Sequence, residues 1–409
     1  MPYTMMQQPL LQFFDLSGKP LAFGLLYVYL PNTTISAQTY SIFDGSASNT
    51  NPITLDAYGR CTVWINEVCD VVLKDSLGNT IFQQKSVSSG DQLQFNTLSA
   101  QIAQLTNIIN QQLSIYQSFN LTQKAIFGYG WDGTNAFSIT NLVSNTGVVS
   151  SDTTGVGSIR HDLAAAAYGG DKAIFGFGYS PSSGNVAITN LVSNTGVVAA
   201  DIAGIGTGRS DLAAAGYSGD KAIFGFGITS SAVSLTNLVS SSGVVATDTT
   251  GVGTARYSLA AAGYGGDKAI FGYGWTTAVV NVTNLVSNTG VVATDTTGVG
   301  TARESLASAG YGGDKAIFGY GYTGASAVSL TNLVSNTGVV ATDTTGVGTA
   351  RYGLAAAGYG AGNAIFGYGD VAGTVSMTNL VSNTGVVATD TTGVGTARYG
   401  LAAAGYSLI

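Results

Sequence analysis

At 409 residues the chain is long enough for two or three domains, yet only 9% of it is charged, against the usual quarter. Its 22 acidic residues against 15 Lys and Arg give a net charge of −7 with no basic cluster, which excludes nucleic acid as a partner. The 57 glycines, about twice normal usage, and 45% hydrophobic content exclude a disordered chain and suit a close-packed, turn-rich β protein.

The opening MPYTMMQQPL has neither a basic nor an apolar signal region, so no signal peptide is expected. The longest apolar stretch, Leu21 to Leu30, is half a membrane span, and no membrane insertion is expected. Up to residue 90, short runs rich in aromatic and β-branched residues (QFFD, LAFGLLYVYL, CTVWI, CDVVLKD, TIFQQKSV) alternate with turn formers at Ser17–Pro20, Leu30–Thr34, Asp56–Gly59 and Ser76–Asn79. Residues 1–90 therefore read as a small antiparallel β domain. Its Cys61 and Cys69, with one histidine in the whole chain, make no metal or cofactor site and read as buried, reduced strand residues.

Three ordered motifs in this stretch, FFD-x-x-GKPL, NPI-x-LD-x-x-GR and LKDS-x-G-x-x-I, resemble the N-terminal virion-attachment domain of bacteriophage tail fibres and tailspikes over about residues 8 to 88. Phe23 and Gly24 stand where such domains often carry two small residues before the LY strand. The resemblance implies a virion protein located on the phage tail, made in the host cytoplasm and attached by its N-terminus to a tail or portal-proximal protein.

Residues 91–122 read as an oligomerisation helix. Phe95, Leu98, Ile102, Leu105, Ile109, Gln112, Tyr116 and Phe119 alternate at spacings of three and four, and no charged residue falls between Gln92 and Gln123. Such a stripe suits a coiled coil of three to four heptads, with Gln112 fixing register; the other reading is a helix packed on its own domains. Fibres of the resembled class imply three strands, hence a homotrimer.

From residue 123 to 409 one unit recurs about every 48 residues. The segment KAIFGYG begins at Lys124, Lys172, Lys221, Lys268, Lys315 and, as NAIFGYG, at Asn363; LAAAGY or a close variant begins at Leu163, Leu212, Leu259, Leu306, Leu354 and Leu401. The first unit lacks the LAAAGY strand and the last lacks KAIFGYG, so the two ends are complementary halves. That phase predicts a ring: a mainly β chain ending in a six-bladed β-propeller, four strands to a blade, closed by the C-terminal strand. The pattern R-x-x-LAAAGYGG-x-KAIFGYG…NLVSNTGVV resembles a divergent kelch repeat, without that family's double glycine ending the second strand or its tryptophan in the fourth.

One Asp and one Arg recur in every unit, eight residues apart: Asp152 and Arg160, Asp201 and Arg209, Asp248 and Arg256, Asp295 and Arg303, Asp343 and Arg351, Asp390 and Arg398. Their regularity predicts structural ion pairs or backbone clamps between blades and not catalysis. The lone His161 permits no Ser–His–Asp arrangement, so no enzyme is expected.

Variation falls on one rim. Loops between the second and third strands carry Trp131, Asp132, Tyr179, Trp275, Tyr322 and Asp370, and the residue after each Arg is His161, Tyr257, Tyr352 or Tyr399 among others. This predicts a ligand-binding face for a host-surface glycan or protein, with aromatic side chains stacking on sugars. Drift in unconstrained loops is the other reading. Two further function classes stay open: a purely structural tail adaptor docking another virion protein, and a capsule depolymerase, for which the sequence displays no carboxylate cluster.

Overall fold

The computed structural model describes residues 10–42, 44–87, 101–111 and 123–406, and its architecture is mainly β. The chain divides into two compact units, with the boundary between residues 115 and 116.

In the first unit, β1 (Leu11–Gln12) pairs with β4 (Arg60–Cys61), while β2 (Leu25–Tyr29), β3 (Ile53–Thr54), β5 (Cys69–Lys74) and β6 (Thr80–Val87) form an antiparallel sheet in the order β3-β2-β5-β6. Alternating side chains of β2 and β5 bury Leu26, Val28, Val71 and Leu73 over a shared core. The three sequence motifs each contain D-x-x-G, and each is the same turn. Asp15, Asp56 and Asp75 accept backbone N–H bonds two and four residues on, at 2.7–2.9 Å. Gly18, Gly59 and Gly78 follow at φ of +79°, +68° and +90°, a region that favours glycine. Cys61 and Cys69 are unbonded to each other and buried, and burial pushes their thiols up to about 12 and about 11.

A helix is described over residues 101–111, with Ile102, Leu105 and Ile109 all exposed. Phe95, Leu98, Gln112 and Tyr116 lie outside the described residues.

The second unit holds six three-stranded antiparallel sheets. Sheet I combines the two ends of the repeat: Ala402–Tyr406 pairs with Lys124–Trp131, which pairs with Ala136–Val143, in register Ala402↔Gly128 through Tyr406↔Lys124. Sheets II to VI keep this order, with inner strands Ala164–Tyr168, Ala213–Tyr217, Ala260–Tyr264, Ala307–Tyr311 and Ala355–Tyr359. The expected fourth strand is reduced to two isolated bridges per unit, such as Val143↔Val149 and Thr140↔Thr153. One residue more lies between the bridges on the outer segment than on its partner. The Asn141 side chain fills the interrupted ladder by donating to the Ser150 carbonyl at 3.0 Å.

Neighbouring sheets interlock through the KAIFG motif. The Phe of each middle strand lies against the glycine that closes the preceding sheet's AIFG segment: Phe175 on Gly128, Phe224 on Gly176, Phe271 on Gly225, Phe318 on Gly272, Phe366 on Gly319 and Phe127 on Gly367. A methyl group at Gly272 would stand 2.8 Å from the Phe318 ring, closer than packed carbons come, so only glycine leaves room. The relation is cyclic, since Phe127 of sheet I completes it on sheet VI. A second cycle runs through the backbone. The N–H of Asp211 donates to Asp162, Ser258 to Asp211, Ser305 to Ser258, Gly353 to Ser305, Gly400 to Gly353, and Asp162 back to Gly400, at 2.6–2.9 Å. Against the inner strands lies a cavity of about 330 Å³ lined mainly by alanine and glycine, with tyrosines and with Lys221, Lys268 and Lys315.

Candidate binding face

Each repeat arginine is fully buried, among the largest side chains in the molecule to be so. An unpaired buried guanidinium would be strongly destabilising, so its partners decide what the interface can be. Arg256 donates through Nη2 to Asn284 Oδ1 at 2.7 Å, through Nε to the Tyr273 carbonyl at 2.8 Å, and through Nη1 to the Thr254 carbonyl at 3.1 Å. Its guanidinium also lies 4.3 Å from the Phe226 ring centre of the preceding sheet. Five of the six Nε groups donate to the carbonyl of an aromatic residue (Tyr129, Phe226, Tyr273, Tyr320 and Tyr368), and these together with Phe177 have φ between 63° and 66°. For non-glycine residues this backbone is uncommon and persists only where its surroundings impose it. Arg160 alone leaves Nε without a partner.

Each Asp and Arg meets across units, not within one. The expected association of Asp152 with Arg160, Asp201 with Arg209, Asp248 with Arg256, Asp295 with Arg303, Asp343 with Arg351 and Asp390 with Arg398 gives way to a register displaced by one unit. Arg160 faces Asp201, Arg209 faces Asp248, Arg256 faces Asp295, Arg303 faces Asp343, Arg351 faces Asp390, and Arg398 faces Asp152, all at 3.8–4.0 Å. At that separation the charges are bridged and not bonded. The Asn284 amide donates to Asp295 Oδ1 at 2.9 Å while its oxygen receives Arg256. Partial burial pushes the Asp295 carboxyl up, but hydrogen bonds from Thr254 and Asn284 and the charge of Arg256 outweigh it and hold it below the usual range. Burial lowers Arg209 and Arg256 to about 10, leaving both charged at neutral pH.

These struts carry the variable rim. The residue after each Arg forms an antiparallel bridge with the first residue of a variable loop: Trp131 with Tyr399, His161 with Tyr179, Tyr257 with Trp275, Glu304 with Tyr322, and Tyr352 with Asp370. The structure thus brings the candidate residues together in pairs, leaving Tyr179 exposed and the others half-buried. Ring centres lie 5.2 Å apart for Trp131 and His161, 5.4 Å for His161 and Tyr179, and 5.5 Å for Tyr322 and Tyr352. Ser210 and Ile228 occupy the same bridge in sheet III, so the aromatic run is broken there. Asp132 sits at a loop turn, accepting the N–H groups of Thr134 and Asn135.

Two sets of residues escape the sequence analysis. One is the bridging asparagine (Asn141, Asn190, Asn237, Asn284, Asn332, Asn379), whose signal is an amide recurring in an apolar strand. The other is the backbone cycle itself, where Asp162, Asp211, Ser258, Ser305, Gly353 and Gly400 take φ of 50–63°. The signal there is a turn-former two places after every Arg. His161 Nδ1 lies 2.6 Å from Asp162 Oδ2, and Ser210 and Ser258 donate to Asp211 at 3.2 and 3.3 Å. Burial raises the Asp211 carboxyl well above its ordinary value, and the charge of Asp162 adds to this. Among the described residues no three side chains are placed to hold a metal ion. No protein-family model and no curated protein matches the chain.

Replacing Asn284 with Leu should strip Arg256 and Asp295 of their shared partner and cost about 2–3 kcal/mol in denaturant unfolding, because a buried charged donor is left unmade. Asp211 is raised above its unfolded value, so its contribution is full below about pH 4 and is lost as pH rises through the folded value. Asp211→Asn should therefore unfold at higher temperature than the parent at neutral pH, with the difference vanishing as pH falls to about 4.

Proposed function

We propose that the chain is a bacteriophage tail fibre or tail appendage protein that binds a host-surface glycan through the variable face of a closed, six-bladed, kelch-like β-propeller. Three cyclic features support the closed ring: the strand shared by the two repeat ends, the Phe127–Gly367 contact and the backbone hydrogen-bond cycle. The observation that carries the adhesive reading is the segregation of the two faces. On one, Asn194, Asn288 and Asn336 bind Asp171, Asp267 and Asp314 in a repeated pattern, and Gln123 lies beside Gly358 and Gly405 where the chain joins its first repeat strand. On the other stand the unequal aromatic and acidic residues. A ligand face turned away from the point of attachment is the geometry of an adhesin.

The three D-x-x-G turns give a physical basis to the motifs shared with virion-attachment domains, and the first unit is read as the part that docks to the tail. The helix over 101–111 exposes Ile102, Leu105 and Ile109, an apolar stripe that two further copies of the chain would cover. Binding is adhesion without catalysis, with avidity from three rings.

Solution mass of the full chain should correspond to a trimer, and Leu105→Asp should yield monomers that keep the parent's unfolding transition for the repeat region. A monomeric parent would overturn the coiled coil. Trp131→Ala combined with Trp275→Ala should reduce adsorption to host cells at least about tenfold, each lost stacking contact being worth roughly 0.5–1.5 kcal/mol before avidity. Unchanged adsorption would point to the adaptor reading, in which the face docks another virion protein.

A further inference from the structure

The junctions between sheets are not equivalent along the variable rim. At each one the first loop residue of a sheet is followed by the residue after the next Arg, and then by that residue's bridge partner. Between sheets I and II these three are Trp131, His161 and Tyr179, all of them rings. Every other junction breaks the run with Ser210, Ile228, Glu304 or Asp370. His161 joins the other two, its ring centre 5.2 Å from that of Trp131 and 5.4 Å from that of Tyr179. Asp162 Oδ2 lies 2.6 Å from Nδ1 and holds the imidazole in that position.

The frame departs from its repeat at the same junction. The loop opened by Tyr179 is the longest of the rim, running to its pairing partner Asn185, and it forms a ladder of its own, Tyr179–Ser180 with Gly184–Asn185. It exposes Ser182 and Ser183, and Asn185 Nδ2 braces it on sheet III by donating to the Ile228 and Thr229 carbonyls at 3.1 and 3.2 Å. Among the described residues three buried side-chain polar atoms lack a hydrogen-bond partner. Two of them flank the rings: Arg160 Nε, next to His161 in sequence, and Asn185 Oδ1, on the residue paired with Tyr179. The other five strut arginines each place Nε on a carbonyl. Buried bonds left unmade are unfavourable, and here they gather where the repeat carries its one unbroken run of rings.

We propose that the junction of sheets I and II is the principal binding site of this face, and that it takes an uncharged pyranose of a glycan, one glycan to each chain. The inference rests on the glycan-adhesin reading of the face. A pyranose offers a CH face to the rings and hydroxyls to Ser182 and Ser183 of the adjoining loop. Charged sugars fit less well. The lysines of the repeat begin the middle strands, at the ends remote from the rim, and its arginines are fully buried, so an acidic sugar meets no accessible lysine or arginine. The carboxylates next to these rings in sequence are already engaged, Asp132 by the N–H groups of Thr134 and Asn135 and Asp162 by His161, so an amino sugar gains no free counter-charge.

The test is calorimetric titration of the full-length protein with neutral hexamers of glucose, galactose, mannose and N-acetylglucosamine, and with the charged hexamers of galacturonate and glucosamine. Binding of at least one neutral hexamer is expected, at one per chain. His161→Ser with Tyr179→Ile installs the residues that sheet III carries at the same bridge, so the pair is compatible with the fold and should weaken binding at least about tenfold. His161→Tyr, the residue of sheet IV, keeps a ring there and should retain binding. Trp131→Ala should weaken binding more than Trp275→Ala. Equal losses from the two tryptophans, two or more hexamers per chain, loss in His161→Tyr, or indifference to the His161→Ser pair would overturn the single site and leave a distributed glycan face standing. Preference for the galacturonate or glucosamine hexamer would overturn the uncharged sugar. No binding of any hexamer would sink both this inference and the glycan-adhesin reading.

Discussion

Each buried guanidinium belongs to two sheets at once, and the arrangement of the second unit follows from that sharing. Arg256 lies on the Phe226 ring of one sheet and donates to Tyr273 and Asn284 of the next. A charge in this position needs its partners, so its donors hold the guanidinium to the second sheet and set its plane on the ring of the first. The positive φ of Tyr273 turns its carbonyl toward the guanidinium, a local strain maintained by the bond it permits. Hydrophobic interlocking alone would be more permissive, since an aromatic ring against glycine tolerates sliding that a bonded fork does not.

Much of this frame is legible in the sequence because periodicity reports it directly. The complementary ends of the repeat anticipate the strand pairing of Ala402–Tyr406 with Lys124–Trp131, and alanine and glycine in LAAAGY anticipate inner strands that approach closely. Gly263 shows why: a methyl group there would stand 3.1 Å from the Gly216 carbonyl of the neighbouring inner strand. What periodicity cannot report is which copy a residue meets. Asp248 is eight residues before Arg256 and about forty after Arg209, and in a repeat both spacings recur equally. Only the fold distinguishes them, and it selects Arg209. The fourth strand is overestimated for a related reason. Its valines have the composition of a ladder strand, but Asn237 spends its amide on the Ala246 carbonyl and on Asp248, interrupting the pairing.

The first unit is legible at a different level. Its motifs are turn chemistry, and Asp15, Asp56 and Asp75 accept the same bonds in three unrelated places. Side-chain-to-backbone bonds of that kind depend on a few consecutive residues, so a single sequence carries them whole. The helix lies between these extremes: its spacing marks the stripe, while the exposure of Leu105 requires a structure to see.

The contrast between the two faces of the second unit has a cause in how each is bonded. On the lysine face the loops are joined side chain to side chain, as in Asn288 to Asp267, so the residue types themselves are required. On the aromatic face the loops are joined backbone to backbone, as in Tyr257 with Trp275, so the bonding places little demand on the side chains at those bridge positions. Freedom to vary therefore explains why this face differs from unit to unit, but it does not explain what the units carry. Unconstrained positions would have little reason to keep large aromatic rings half-exposed. Turn chemistry accounts for Asp132 and Asp370, which accept backbone N–H bonds of their own loops, and what freedom alone leaves unaccounted for is the large rings at most of the bridge positions.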